Sequence, residues 1–187
     1  MGIDLEDART GFVRGSLGGF PFVFVNAVAW LIMGGVFLWT NAAGVDVRWP
    51  ALALIFTGAV TMPLAFVMQA ALNLPAPSTS NPFPLLAAAL SLVLVLGLPA
   101  PLIMWFVEPS YSPAVWAAVL GAHFLPHAWL QRTRWYVSLA ILISLTAFLG
   151  AALLGHESPA AVTLITGALM LVWSFLIRRK ARRLPAA

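Results

Sequence analysis

The sequence predicts an all-α protein, a polytopic transmembrane bundle of six helices with both termini in the cytoplasm. Of its 187 residues, 61% are hydrophobic and only 9% are charged, and the mean hydropathy is +0.95. Soluble domains carry about 25% charged residues, so this composition indicates an integral membrane protein. Six spans of about 20 residues would use most of the chain, which fits a single membrane domain.

The charged leader, residues 1–18, comes before the first predicted span. Its apolar residues recur at helical spacing, which predicts a short interfacial helix on the cytoplasmic side. Gly15, Gly18 and Gly19 follow and predict a break in that helix. The acidic residues of the leader argue against a cleaved signal peptide, which needs a basic start.

The transmembrane domain is predicted to cover residues 19–178. Its spans are expected at about residues 21–39, 51–72, 85–106, 113–130, 135–154 and 159–177. Each is an apolar run close to the length that crosses a hydrocarbon core of about 30 Å. Internal prolines at positions 63, 99, 101 and 126 predict kinks, which are tolerated beside a cavity or where neighbouring helices satisfy the freed carbonyls. The proline-rich, uncharged stretch 73–84 predicts an irregular linker.

The basic residues predict the orientation. Every lysine and arginine except Arg48 falls on the side that also holds both termini. Cytoplasmic loops are enriched in such residues, so we expect an N-in, C-in protein of the cell (inner or cytoplasmic) membrane. The basic tail, residues 179–187 with Arg178 before it, is expected to anchor the chain and to meet anionic lipid rather than nucleic acid. Its charges are Arg178, Arg179, Lys180, Arg182 and Arg183.

The candidate chemistry centres on His123 and His127, four residues apart in the fourth predicted span. This spacing places two imidazoles on one helix face, but Pro126 lies between them and no third ligand is close in sequence. The chain also has no cysteine, so thiolate chemistry and Cys-ligated metals are excluded. We therefore predict no metal site and no cofactor.

Several polar residues share a depth in the predicted bundle. His123 and His127, with Asn26 and Gln69, fall in the cytoplasmic half, His127 nearest the interface. They are candidates for lining a cytoplasm-facing ligand pocket, as polar side chains at membrane depth often mark function. The alternative is that each bonds a neighbouring helix. Glu108 is a candidate at an outer vestibule, or else a solvated loop acid.

Three stretches carry a resemblance to a known family. They are Met62-Pro63-Leu64-Ala65-Phe66, Asn81-Pro82, and Gly121-Ala122-His123 with Leu125-Pro126 and Trp129. Together they resemble a family of small bacterial six-span membrane proteins of unknown function. The resemblance implies the six-span fold and a role for the His123 segment. The family usually has an aromatic or apolar residue at the position of His127, so the implied role concerns His123.

Three functions remain open from the sequence. The favoured one is binding or transport of a small or lipophilic molecule in a pocket around His123, whose neutral imidazole is tolerable in lipid. The second is a non-catalytic partner subunit of a membrane complex. The third and least favoured is a membrane-embedded enzyme with His123 as base and Ser138 or Ser144 as its partner. Membrane lipids, an unidentified small molecule and further copies of the chain are the expected partners, with no nucleic acid.

Overall fold

The computed structural model describes residues 4–75 and 80–184, and every regular element in these ranges is helical. The predicted all-α class is therefore confirmed. The eight α-helices of the described ranges are α1 (Leu5–Gly15), α2 (Phe20–Ala42), α3 (Arg48–Ala71), α4 (Phe83–Gly97), α5 (Pro99–Val107), α6 (Ser112–Leu130), α7 (Trp135–Leu154) and α8 (Ser158–Ala181). Short 3₁₀ turns lie at Leu17–Gly19, Pro109–Tyr111 and Gly155–Glu157.

Four helical stretches of the described chain are long and apolar enough to cross a membrane. They are Leu17–Ala42, Arg48–Ala71, Phe83–Val107 and Trp135–Ala181, the last containing both α7 and α8. These stretches indicate a membrane protein. Helix α6 is not among them, because its two histidines and two prolines lower its hydropathy. The six-crossing arrangement therefore stays a prediction.

Prolines have different effects in different helices. Pro63 and Pro126 lie inside α3 and α6, which both continue through them. The predicted third span instead divides at Leu98 into α4 and α5, and Pro99 begins the second piece. Beside this break, α4 approaches α6 so closely that a Cβ on Gly97 would clash with Cγ1 of Val119.

The tightest helix pairs are α2 with α8 and α6 with α7. Glycines allow the close approach. A Cβ on Gly167 of α8 would lie 2.9 Å from the backbone nitrogen of Leu31 on α2. A Cβ on Gly121 of α6 would lie 3.0 Å from the Ala140 carbonyl oxygen on α7. Small residues at such crossings are the usual device of helices packed in lipid.

Helix α6 is the centre of the bundle, whereas α4 lies at its edge. Helix α6 contacts α3, α4, α5, α7 and α8, and it buries large side chains such as Trp116 and Phe124. In α4, by contrast, Phe83 is the single buried residue of positions 83–97. Leu85 and Leu96 of α4 are 76% and 79% exposed. The apolar surface of α4 is therefore available to lipid or to another chain.

Helix α1 is docked across the bundle rather than free of it. Arg132, in the turn after α6, contacts the Glu6 carboxylate at 2.8 Å and donates to the Thr10 hydroxyl at 2.8 Å. The Asn81 amide donates to the Ala8 carbonyl at 2.8 Å, which joins α1 to the start of α4. The chain then turns sharply into α2 through two left-handed glycines, Gly18 and Gly19, with φ of 68° and 82°.

Candidate ligand-binding site

A cavity of about 480 Å³ lies between α3 and α4. Side chains such as Met62 and Phe66 form the α3 wall, and Ala87 and Ala88 form the α4 wall. Phe124 and His127 of α6 provide its floor, and Phe12 of α1 is also on its surface. Helices α3 and α4 pack mainly against other helices, so the space between them is left open. The lining is predominantly apolar.

A few polar side chains interrupt this apolar lining. They are Ser16, Gln69, Ser91, His127, Gln131 and Tyr136. Some have partners within the protein: the Ser91 hydroxyl donates to the Ala87 carbonyl at 2.9 Å, and the Tyr136 hydroxyl donates to the Gly18 carbonyl at 2.7 Å. The Tyr136 bond fixes the turn between α1 and α2 against α7.

His127, His123 and Tyr136 form a cluster of rings at the cavity floor, with the two imidazoles edge to face. The ring centroids of His127 and His123 are 4.7 Å apart, and those of His127 and Tyr136 are 5.8 Å apart. The spacing of four residues within α6 brings the two imidazoles together, and α7 supplies the tyrosine. Thus His127 connects the cavity with the fully buried His123 behind it.

The imidazoles are short of hydrogen-bond partners. The backbone of Leu90 on α4 lies near the ring of His123, yet among residues 4–75 and 80–184 no group has hydrogen-bond geometry with either of its nitrogens. Nε2 of His127 is likewise buried and unpartnered within those ranges. A buried donor or acceptor without a partner costs about 1–3 kcal/mol. A polar group in the cavity would offset this cost if the His127 ring rotated to present its Nε2.

The structure brings together only part of the predicted pocket. His127 and Gln69 line the cavity, and His123 lies directly behind His127. His127 thus lies at the cavity floor in contact with Tyr136. Asn26 and Glu108 are not on the cavity lining.

Asn26 joins two helices instead. It is buried on α2, where its side-chain oxygen accepts a hydrogen bond from the Thr61 hydroxyl of α3 at 3.2 Å. Its amide group donates to the Phe22 carbonyl one turn earlier at 3.0 Å. This is the helix-bonding alternative considered for the polar residues.

A double-mutant cycle of Asn26→Leu and Thr61→Val measures this bond. We expect a coupling free energy of about 0.6 kcal/mol, the average for hydrogen bonds between membrane helices. The readout is the thermal stability of the purified wild type, both single variants and the double variant. Additive effects of the two changes would show that the hydroxyl and the amide do not interact.

Glu108 belongs to a polar cluster at the end of the bundle away from α1. The Ser110 hydroxyl lies 2.9 Å from the Glu108 carboxylate and 3.0 Å from Nδ1 of His156. The carboxylate and that nitrogen are 3.5 Å apart. Because His156 lies in the turn between α7 and α8, the cluster joins this turn to the one between α5 and α6.

The described residues do not supply an obvious metal site. Within residues 4–75 and 80–184, no three His, Cys, Asp or Glu side chains are grouped closely enough to hold a metal ion. His123 and His127 alone are an incomplete ligand set for zinc, which usually takes four ligands in structural sites.

Sequence reasoning missed the contributions of Phe12, Ser16, Gln131 and Tyr136 to the cavity. The leader was expected only to lie at the interface, whereas Phe12 and Ser16 help to form the cavity wall. Tyr136 follows the basic turn directly, a position typical of an interfacial aromatic residue. Nothing in the sequence indicates that the Tyr136 ring on α7 is directed toward His127.

These helices and this cavity define the class of the molecule: an all-α protein with helices suited to a membrane and an apolar cavity with a histidine in its floor. Residues 5–180 match the model of a family of unknown function, DUF7010, and the chain belongs to that family. No curated protein and no solved structure matches the chain. The expectation of an uncharacterised family is confirmed, while its six-span and motif details stay predictions.

Proposed function

We propose that this protein binds a small lipophilic molecule in the cavity between α3 and α4, with His127 as the polar anchor. The observation that carries the proposal is the apolar cavity of about 480 Å³ whose floor includes His127, an imidazole with a buried and unpartnered Nε2. Ligand sites in proteins are typically concave, mostly apolar and about 300–1,000 Å³, with few polar groups that fix orientation. His123 supports the floor from behind and gives the anchor a second ring to pack against.

The proposal includes six membrane crossings with both termini in the cytoplasm of a bacterial cell. The distribution of basic residues supports the orientation, with Arg48 alone on the other side. A crossing by α6 is supported by its central position, since it contacts five other helices and His123 is fully buried among them. In this arrangement the cavity belongs to the cytoplasmic half, and the gap between α3 and α4 faces the bilayer. A lipophilic ligand would then arrive from the membrane.

A second candidate is a partner subunit of a membrane complex. The apolar surface of α4, which is almost entirely exposed, favours this second function, because such a surface could pack against another chain. The enzyme hypothesis receives less support. The Ser138 hydroxyl donates to the Trp135 carbonyl and accepts from the Trp173 indole, so its hydrogen bonds are made away from His123.

Filling the cavity tests the proposal. Ala88 and its neighbour Ala89 are both exposed, but only Ala88 lines the cavity. We expect native mass spectrometry of protein extracted in mild detergent to detect a bound lipophilic molecule in the wild type and in Ala89→Trp. Ala88→Trp should lose it, because the indole occupies the same space. Equal occupancy in the two variants, or none in the wild type, would contradict the proposal.

His127→Phe tests the anchor separately. Phenylalanine keeps an aromatic ring of similar size but removes the polar nitrogens. We expect the ligand identified in the wild type to bind the variant about tenfold more weakly, the equivalent of one hydrogen bond worth about 1.4 kcal/mol. Unchanged affinity would leave the cavity as a purely apolar site and remove His127 from the proposal.

A further inference from the structure

A second concave surface lies where α8 ends. It has a volume of about 380 Å³ and is lined by Phe175, Arg178, Arg179, Arg182 and Arg183. We call this surface the arginine groove. Its charged side chains are all positive, and no acidic side chain of the described ranges forms an ion pair with them. The groove therefore carries uncompensated positive charge, which favours an anionic occupant.

Arg178 is held in place at one edge of this groove. Its guanidinium carbon lies 4.8 Å from the centroid of the Phe20 ring at the start of α2. Its Nε is buried and has no hydrogen-bond partner among residues 4–75 and 80–184. Stacking on an aromatic face still allows a guanidinium to bind an oxyanion, and with Nε covered the two terminal Nη atoms are the ones to do so. Arg182 lies one turn further along and projects from the same side of the chain.

The groove continues into an aromatic surface. The ring centroid of Phe175 lies 5.8 Å from that of Phe20 and 5.9 Å from that of Phe24. Phe175 itself is 49% exposed. A strongly basic surface thus meets an exposed apolar one at the end of an apolar helix. Free phosphate or nucleic acid would use only the basic half of this arrangement.

We propose that the arginine groove is a binding site for one anionic phospholipid. The lipid phosphate is bound by Arg178 and Arg182, because a planar guanidinium fork can hold two phosphate oxygens at once. Its acyl chain lies along Phe175 and Phe24. This is a defined site, which differs from general attraction between a basic tail and a negative membrane surface. It is also separate from the cavity between α3 and α4.

Binding at this site would also act on the packing of α2 and α8. Close to the groove, a Cβ on Gly18 would lie 2.9 Å from Cγ2 of Ile177 and 3.4 Å from Cβ of Ala181. The turn into α2 therefore rests directly on the end of α8. A lipid that holds Arg178 in its position over Phe20 favours this arrangement, so its binding should raise the melting temperature.

The test compares lipids on purified protein in an uncharged detergent. Phosphatidylglycerol should raise the melting temperature in a saturable manner. Phosphatidylcholine, which has no net charge, and inorganic phosphate at the same concentration should not. An equal shift with inorganic phosphate would assign the groove to a free anion, and no preference for phosphatidylglycerol over phosphatidylcholine would overturn the proposal.

Two variants separate a defined site from diffuse attraction. Arg182→Gln removes a charge that lines the groove, and Lys180→Gln removes an equal charge from the same tail that does not line it. We expect Arg182→Gln to weaken phosphatidylglycerol binding about tenfold, because the loss of a charged hydrogen bond costs at least about 1.4 kcal/mol of binding free energy. We expect Lys180→Gln to leave the affinity within about twofold of wild type. Equal losses in both would show that only net charge matters.

A third variant tests geometry at constant charge. Arg178→Lys keeps the positive charge but loses the planar fork and its stacking on Phe20. We expect phosphatidylglycerol binding to weaken in this variant, with a melting temperature close to wild type when no lipid is added. Full retention of binding would show that a point charge is sufficient and would overturn the assignment of Arg178.

Discussion

Gly167→Ala is expected to lower the stability of the protein by about 1–3 kcal/mol, the usual cost of overpacking a close contact. The added Cβ would lie 2.9 Å from the backbone nitrogen of Leu31 and 3.1 Å from the carbonyl oxygen of Ala27. Both atoms belong to the main chain of α2, so no side-chain rotation can relieve the contact. The two helices must separate, and they form one of the tightest pairs in the bundle.

Gly35→Ala on α2 is the matched control. A Cβ at this position has no atom within 4 Å, so the helix has room for it. Because alanine favours a helix over glycine by up to about 1 kcal/mol, we expect unchanged or slightly higher stability. Thermal unfolding of both variants in the same detergent provides the comparison. If the two substitutions lowered the melting temperature equally, close packing of α2 and α8 at Gly167 would be wrong.

Gly19→Ala is expected to have the second large effect, because it affects both stability and the cavity. Gly19 has a φ of 82°, and an L-residue in this left-handed region costs about 1–2 kcal/mol. The added Cβ would also lie 2.6 Å from the Tyr136 hydroxyl oxygen. The tyrosine must then move away from its bond to the Gly18 carbonyl. We expect a lower melting temperature together with weaker ligand binding, since Gly19 and Tyr136 both line the cavity.

Gly11→Ala within α1 is the control for this change. A Cβ there also has no atom within 4 Å, and the residue is in a regular helix. We expect neither stability nor ligand binding to fall. Native mass spectrometry and thermal unfolding measured on the same preparations separate the two effects of Gly19→Ala. A loss of stability without loss of bound ligand would mean that the turn does not shape the cavity.

The helices could be predicted from the sequence because apolar runs of a fixed length determine them locally. A kink at Pro99 and Pro101 was predicted, but not that the third span divides at Leu98 while α3 and α6 continue through Pro63 and Pro126. The hydropathy of α6 shows the limit of this reasoning. A long apolar run can be recognised from the sequence alone. Whether a helix with two histidines and two prolines is buried depends on the helices packed around it, which the sequence does not show.

The cavity could be predicted only in part. The sequence indicates how deep in the membrane a residue lies, but it says much less about how each helix is rotated about its own axis. Asn26 and Gln69 are both amides that the predicted topology places in the same half of the bundle. Gln69 is on the cavity lining, whereas Asn26 faces Thr61 and is bonded to it. In a soluble helix the polar face indicates the rotation, but here almost all faces are apolar. The neighbours of α6 decide which residues meet His127.

The two histidines and two prolines of α6 have a consequence for how the protein is made in the proposed six-crossing arrangement. Histidine and proline disfavour insertion from the translocon into lipid, so we expect α6, which has two of each, to insert less readily when it is alone. Its close partner α7 follows after only the short turn from Gln131 to Arg134 and belongs to a strongly apolar stretch. We therefore expect α6 and α7 to enter the bilayer together as a hairpin during synthesis. The histidines at the cavity floor would then be shielded by protein from the moment of insertion.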